Sequence, residues 1–309
     1  MAPQLAGARG VGVYGCVLGP LTIGGVLVGH LRLDVHGFDL VVMGQAIWYV
    51  TVGALLWRQA SKNVPGVVRS HIMSIDNTAE TPREDDCNRR IAHPLHTILI
   101  LAALGVWAYV SKVRAEHLRE AAEVNRVFLY ARTMMFEWAM LGFALLGVRL
   151  NGSPLGSVLG ERWRSVREVA RDLGIGVVFL VVPVAIGGIF NAIWPGDSSN
   201  RAVQYFLPGS GAEKLLWLAL SVTAGICEEA VYRGYFQRQF AALANSVAAG
   251  IVMQAVLFGA SHWYQGVRRT IPIAALGAAL GLLAHWRKSL RPGMVAHGLQ
   301  DAMAVFARR

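Results

Sequence analysis

The chain has 309 residues, a formal net charge of +10, 54% hydrophobic residues, only 16% charged residues and a mean hydropathy of +0.44. Soluble domains carry about 25% charged and about 45–50% apolar residues, so the composition excludes an ordinary water-soluble enzyme. The basic residues lie in short connections beside apolar runs, which points to a membrane surface and excludes nucleic acid as a partner.

Nine apolar windows are expected to be helical: 11–29, 38–57, 95–111, 128–148, 172–195, 214–232, 245–264, 270–286 and 292–306. Most approach the roughly 20 residues that cross a hydrocarbon core of about 30 Å. Backbone amides in lipid must be paired inside the segment, which helices achieve unaided. The expectation is an all-α polytopic membrane protein, a bundle of about eight transmembrane helices with the active site inside the C-terminal ones.

The first window follows Arg9 and resembles a signal peptide, but it lacks a small-residue cleavage site and is read as a first membrane helix. Residues 58–94 include Thr81-Pro-Arg-Glu-Asp-Asp86 and read as a long solvated loop. The stretch 161–171, apolar at Trp163, Val166 and Val169, reads as a basic amphipathic helix on the membrane surface or as a solvated positive-inside loop. With all nine windows spanning, the larger share of Lys and Arg falls on the side of the N-terminus, which is therefore expected in the cytoplasm. Cys16, Cys87 and Cys227 are too scattered for a disulfide framework and form no CxxC pair.

Composition shifts near residue 172. Residues 1–171 are N-terminal membrane helices with polar loops, whereas in 172–309 the connections shorten and polar side chains enter the apolar windows. Ionisable groups in a membrane span are costly and mark functional sites by default, and three groups stand out. Glu229 and Arg233 are four apart, stacked on one helical face in the favourable order for an ion pair. Glu228 is turned about 100° from Glu229 and is free for another task. His262 closes Phe258-Gly-Ala-Ser-His262, and His297 and Asp301 share a face behind Pro292, which suits a first helical turn. Carboxylates and imidazoles around a sequestered water are the parts of a hydrolase, with a base for the water and donors for an oxyanion. His93, His96 and His285 read as interfacial bystanders, and Arg132 and Glu137 as a pair or as cavity lining.

Glu-Glu-x-x-x-Arg at 228–233, Phe-x-x-x-His at 258–262, Ser-Leu-x-Pro at 289–292 and His-x-x-x-Asp at 297–301 resemble the motifs of the CPBP family, also called Abi. These are CAAX-protease and bacteriocin-processing intramembrane endopeptidases, and the resemblance covers roughly residues 172–306. It implies that Glu228 activates the attacking water with help from His262. It further implies that Glu229 and Arg233 support the helix, while His297 and Asp301 face the scissile carbonyl. Many relatives carry Asn at the position of Asp301, and an ionised carboxylate repels an oxyanion. Asp301 therefore acts protonated, orients His297 from behind, or ligates a metal. Glu228, His262, His297 and Asp301 are a chemically sensible zinc set, and a metal-free glutamate mechanism uses the same residues. The implied partners are the lipid bilayer and a peptide or protein substrate, prenylated in the eukaryotic theme of the family. A prokaryotic inner (plasma) membrane is the expected location. The competing class is a non-catalytic scaffold or a proton-coupled transporter. A transporter usually shows repeated halves, and the sequence has none.

Overall fold

The computed structural model describes residues 90–118, 124–160, 163–195, 204 and 206–306, all within a compact unit of Asp85–Arg309. The windows 11–29 and 38–57, together with Arg9, Cys16, Cys87 and the 81–86 stretch, lie outside the described residues. The N-terminus, expected in the cytoplasm, lies outside them as well.

The described residues form helices and no strands. In chain order they are α1 (Pro94–Leu118), α2 (Arg126–Leu150), α3 (Gly156–Leu159), α4 (Val166–Phe179), α5 (Val181–Ile193) and α6 (Gly211–Glu228). A π-helical segment, Glu229–Phe236, continues α6 into α7 (Gln237–Ala244). Then come α8 (Val247–Ser261), a 3-10 turn (Trp263–Gln265), α9 (Val267–Arg287) and α10 (Arg291–Met303). Five stretches are long and apolar enough to cross a membrane: Pro94–His117, Arg126–Leu150, Val166–Ile193, Gly211–Ala244 and Val267–Arg287; Val247–Ser261 is a shorter apolar helix. The molecule is an all-α integral membrane protein.

Its surface fits that medium. Leu95, Val106, Val184, Ile193, Leu215 and Val256 are all exposed, and α5 buries none of its residues. In water such a continuous apolar surface would be an aggregation site; against lipid tails it is the expected exterior. The interior packs apolar side chains such as Ile100, Tyr235, Phe236 and Leu280 together with a set of polar ones, Glu137, Asp172, Glu229, Arg233, Gln254 and His297, all buried.

Two segments differ from the sequence expectation. The 172–195 window is two helices that meet at Leu180. The basic 161–171 stretch is not a separate surface helix, because Ser165 caps α4 by accepting from the Glu168 amide at 3.2 Å, and the helix runs from Val166 into the apolar window. Glu168 in turn accepts from the Arg164 amide at 2.9 Å. Residues 161 and 162 lie outside the described residues.

Short turns set the order of the C-terminal helices. Ser210 and Glu213 form a reciprocal capping box at the start of α6, which satisfies two amides that a helix start leaves unpaired. Asn245 ends α7 in the left-handed conformation with φ 50°, and Ser246 caps α8 through the Ala249 amide at 3.2 Å. Lys288, φ 52°, ends α9, and Pro292 occupies the first turn of α10 as its fixed φ favours.

Helices α6 and α10 cross at glycines. A Cβ on Gly225 would lie 2.6 Å from the Met294 carbonyl oxygen, and one on Gly298 would lie 3.2 Å from that of Ser221. Such small-residue contacts let membrane helices approach closely. This crossing brings the two motif-bearing ends together.

Candidate active site

Glu228 is the last residue of α6, and Glu229 is the first of the π-helical segment. All eight residues of that segment are buried, and wide turns of this kind occur frequently at functional sites. The Glu229–Arg233 pair expected from the spacing is present, with Arg233 Nη1 donating to Glu229 Oε1 at 2.9 Å, both side chains at 0% exposure. Arg233 also donates to the Gly277 carbonyl at 3.2 Å and lies over the Phe258 ring at 4.3 Å. A buried ion pair needs such added contacts to offset its desolvation. The pair thereby locks the π-helical segment to α8 and α9.

Glu229 does more than pair with arginine. His297 Nδ1 donates to the same Glu229 Oε1 at 3.0 Å, so α10 is joined to the π-helical segment through its imidazole. With Nδ1 occupied, Nε2 of His297 faces two other carboxylates, Glu228 Oε2 at 3.8 Å and Asp301 Oδ2 at 3.7 Å. The place behind the ring, one of the alternatives open for Asp301, is thus held by Glu229. Asp301 itself is positioned by its backbone, whose carbonyl accepts from Trp217 Nε1 at 2.8 Å.

His262 is fixed where α8 ends. Its Nδ1 donates to the Phe258 carbonyl at 2.8 Å, leaving Nε2 for other partners. Ser261 Oγ donates to the same carbonyl at 2.8 Å and accepts from Tyr232 OH at 2.9 Å. Tyr232 belongs to the π-helical segment, so this chain ties the histidine's turn to the helix that carries the glutamates.

Glu228, His262, His297 and Asp301 all line one cavity of about 1110 Å³. Within the site, Glu228 keeps 20% side-chain exposure and Asp301 34%, against 0% for Glu229. The accessible carboxylates therefore differ from the locked one. The remaining wall is largely aromatic and aliphatic, including Trp107, Phe136, Phe190, Phe206, Trp217 and Ile273.

The cavity also takes residues that sequence reasoning left aside. Glu137 of α2 is buried, lines the same space and has an Oε2 with no hydrogen-bond partner. Its position inside an apolar window was the available signal, and cavity lining was one of its two expected roles. Tyr264 and Arg268 line the wall beyond His262. Burial pushes the Tyr264 phenol upward from its ordinary value, so it stays a neutral group.

The bystander histidines have other work or none. His96 bridges Tyr235 OH at 2.9 Å and the Phe143 carbonyl at 3.0 Å, and His93 Nδ1 accepts from the Leu95 amide. His285 is exposed beside Trp286, over which Arg287 lies at 5.3 Å. Arg132 sits over the Trp107 ring at 5.1 Å, and Cys227 is a buried free thiol.

Among the described residues, no group of three His, Cys, Asp or Glu side chains takes up an arrangement that would hold a metal ion. Glu228, His262, His297 and Asp301, the residues named as a zinc set, share one cavity wall.

A chamber set among apolar membrane helices, its wall mostly apolar but carrying carboxylates and imidazoles from four separate helices, defines an integral membrane protein with an enzyme-like interior. Residues 211–303 match the family model described as Rce1-like, type II CAAX prenyl endopeptidase Rce1-like. The match spans α6 to α10, includes all four motifs, and is consistent with the CPBP resemblance. At the level of the family, this segment is similar to a CAAX-protease-like intramembrane endopeptidase. No curated protein and no solved structure matches the chain.

Proposed function

We propose that the protein is an intramembrane endopeptidase in which Glu228 activates water for attack on a peptide carbonyl. The observation that carries this reading is the meeting of Glu228, His262, His297 and Asp301, from three helices, on one cavity wall. Glu228 is the accessible glutamate, whereas Glu229 is held by Arg233 and His297.

In this reading Glu228 takes a proton from water as the new C–O bond forms, then returns it to the amine as the C–N bond breaks. Nε2 of His262, unprotonated while Nδ1 donates to Phe258, accepts from the attacking water, and His297 as an imidazolium donates from Nε2 to the developing oxyanion. Glu229 accepts from Nδ1 of His297, which fixes the ring plane. Asp301, on the solvent side of that imidazole, contacts the reacting groups when it carries a proton. The aromatic wall suits an apolar substrate segment, and a prenylated peptide fits that chemistry. The setting is a prokaryotic inner membrane.

Purified protein in detergent, offered prenylated and unprenylated peptides beside Glu228→Gln, tests the reading. Cleavage by the wild type that vanishes in the variant is the expected result. Cleavage of equal rate in both overturns the role of Glu228. A wild type that cleaves none of the peptides favours a scaffold or a proton-coupled transporter.

A further inference from the structure

Arg268 stands in the same cavity at the start of α9, shortly after His262 and the 3-10 turn. A guanidinium stays charged at any physiological pH and presents five donors in a planar fork. Arg268 Nη2 donates to Asn191 Oδ1 of α5 at 3.1 Å. Asn191 is neutral, and among the described residues Arg268 makes no ion pair with a carboxylate. A half-buried cation on a wall that also carries Phe190, Phe206 and Ile273 is therefore only partly compensated. Its contact with Asn191 fixes the direction of the fork and leaves most of its donors for another acceptor.

The rest of the cavity decides which acceptor. Glu137, Glu228 and Asp301 lie on its wall, and a negative group on a ligand is repelled from them. An anion entering the chamber settles instead at the cationic part of the wall, where Arg268 and Arg269 both stand, and the Arg268 fork is aimed by the neutral Asn191 amide. The planar fork matches a carboxylate in a two-bond arrangement.

Resting on the endopeptidase reading of this cavity, we propose that Arg268 binds a carboxylate of the substrate peptide and so sets the direction in which the peptide lies across Glu228. The carboxylate comes either from the peptide's C-terminus or from an acidic side chain. Asn191 is the positioning residue for the guanidinium.

The test measures equilibrium binding of a fluorescent apolar peptide to the Glu228→Gln protein, which removes any dependence on turnover. Three peptides are compared: a free C-terminal acid with one internal Asp, the same peptide amidated at its C-terminus, and the free acid with the Asp replaced by Asn. The expected result is about tenfold weaker binding for one of the two altered peptides. Loss on amidation assigns the terminal carboxylate, and loss on Asp replacement assigns the side chain. Adding Arg268→Gln should bring the parent peptide down to the weaker value, and Arg268→Lys should restore part of the difference. Equal affinity for all three peptides, or no binding of any, overturns the proposal. Wild-type hydrolysis of the same peptides is read separately. Cleavage without discrimination sinks the Arg268 assignment and leaves the endopeptidase reading standing, whereas discriminating binding without cleavage does the reverse.

Discussion

His297 of α10 and Glu229 of the π-helical segment are joined at 3.0 Å, through the same carboxylate oxygen that accepts from Arg233. One buried atom thus holds an ion pair and an imidazole. Removing the glutamate would leave a guanidinium and a histidine buried together without their shared acceptor.

Glu229→Ala should therefore lower stability as well as activity. Breaking one side of a buried pair costs about 3–5 kcal/mol, and Arg233→Ala should fall in the same range. Denaturation in detergent micelles, compared with the wild type, checks this; an unchanged midpoint for either variant would contradict the geometry.

Glu228→Gln should behave differently. Glu228 Oε2 has no hydrogen-bond partner, so an amide of the same shape leaves the packing intact. Folding should stay within about 0.5 kcal/mol of the wild type. Peptide hydrolysis should drop by about 10²–10⁴-fold, the usual contribution of a positioned base. Rate and melting curve measured on the same preparation separate the two effects.

Gly225→Val addresses the helix crossing. Its side chain would press on the Met294 carbonyl, where a Cβ already lies 2.6 Å away. Backbone atoms cannot rotate aside, so α10 must shift, at a cost of about 1–3 kcal/mol or more. His297 and Asp301 would move with it, and activity should fall. Gly142→Ala on α2, where nothing lies within 4 Å, is the control and should retain both stability and activity.

Chelation tests the donor set. With no group of three ligating side chains so arranged among the described residues, hydrolysis should survive dialysis against a strong chelator. A loss of activity restored by added zinc would place a metal on Glu228, His262, His297 and Asp301 after all.

Much of this site was legible in the chain because its signals are local. The i, i+4 spacing of Glu229 and Arg233 and that of His297 and Asp301 follow from helical geometry alone. Pro292 announced the start of α10, and apolar runs announced the helices. The bond between Glu229 and His297 was not legible, since it depends on how α6 and α10 cross. The i, i+4 spacing alone allows Asp301 the place behind the imidazole that Glu229 occupies. The π-helical segment left no trace either, because Glu229–Phe236 contains nothing that a plain α-helix would refuse. Ser165 could have warned that the 161–171 stretch opens a long helix, since a serine three residues before a glutamate is a helix-start signal. Glu137 was visible as a misfit, but its neighbours were not.

The wide turn between α6 and α7 makes this site depend on chain length as well as on chemistry. A π-helical turn carries one residue more than an α-helical turn of the same span. Deleting one residue between Glu229 and Arg233 would remove that surplus and let the segment wind as an ordinary α-helix, with its two ends in nearly the phase they have now. The four-residue spacing of Glu229 and Arg233 would shrink to three, and the bonds that this pair makes to His297 and Gly277 would lose their register, although nearly every side chain would still be present. The surplus residue is thus a heritable property of this protein, one that an indel can erase more completely than most substitutions.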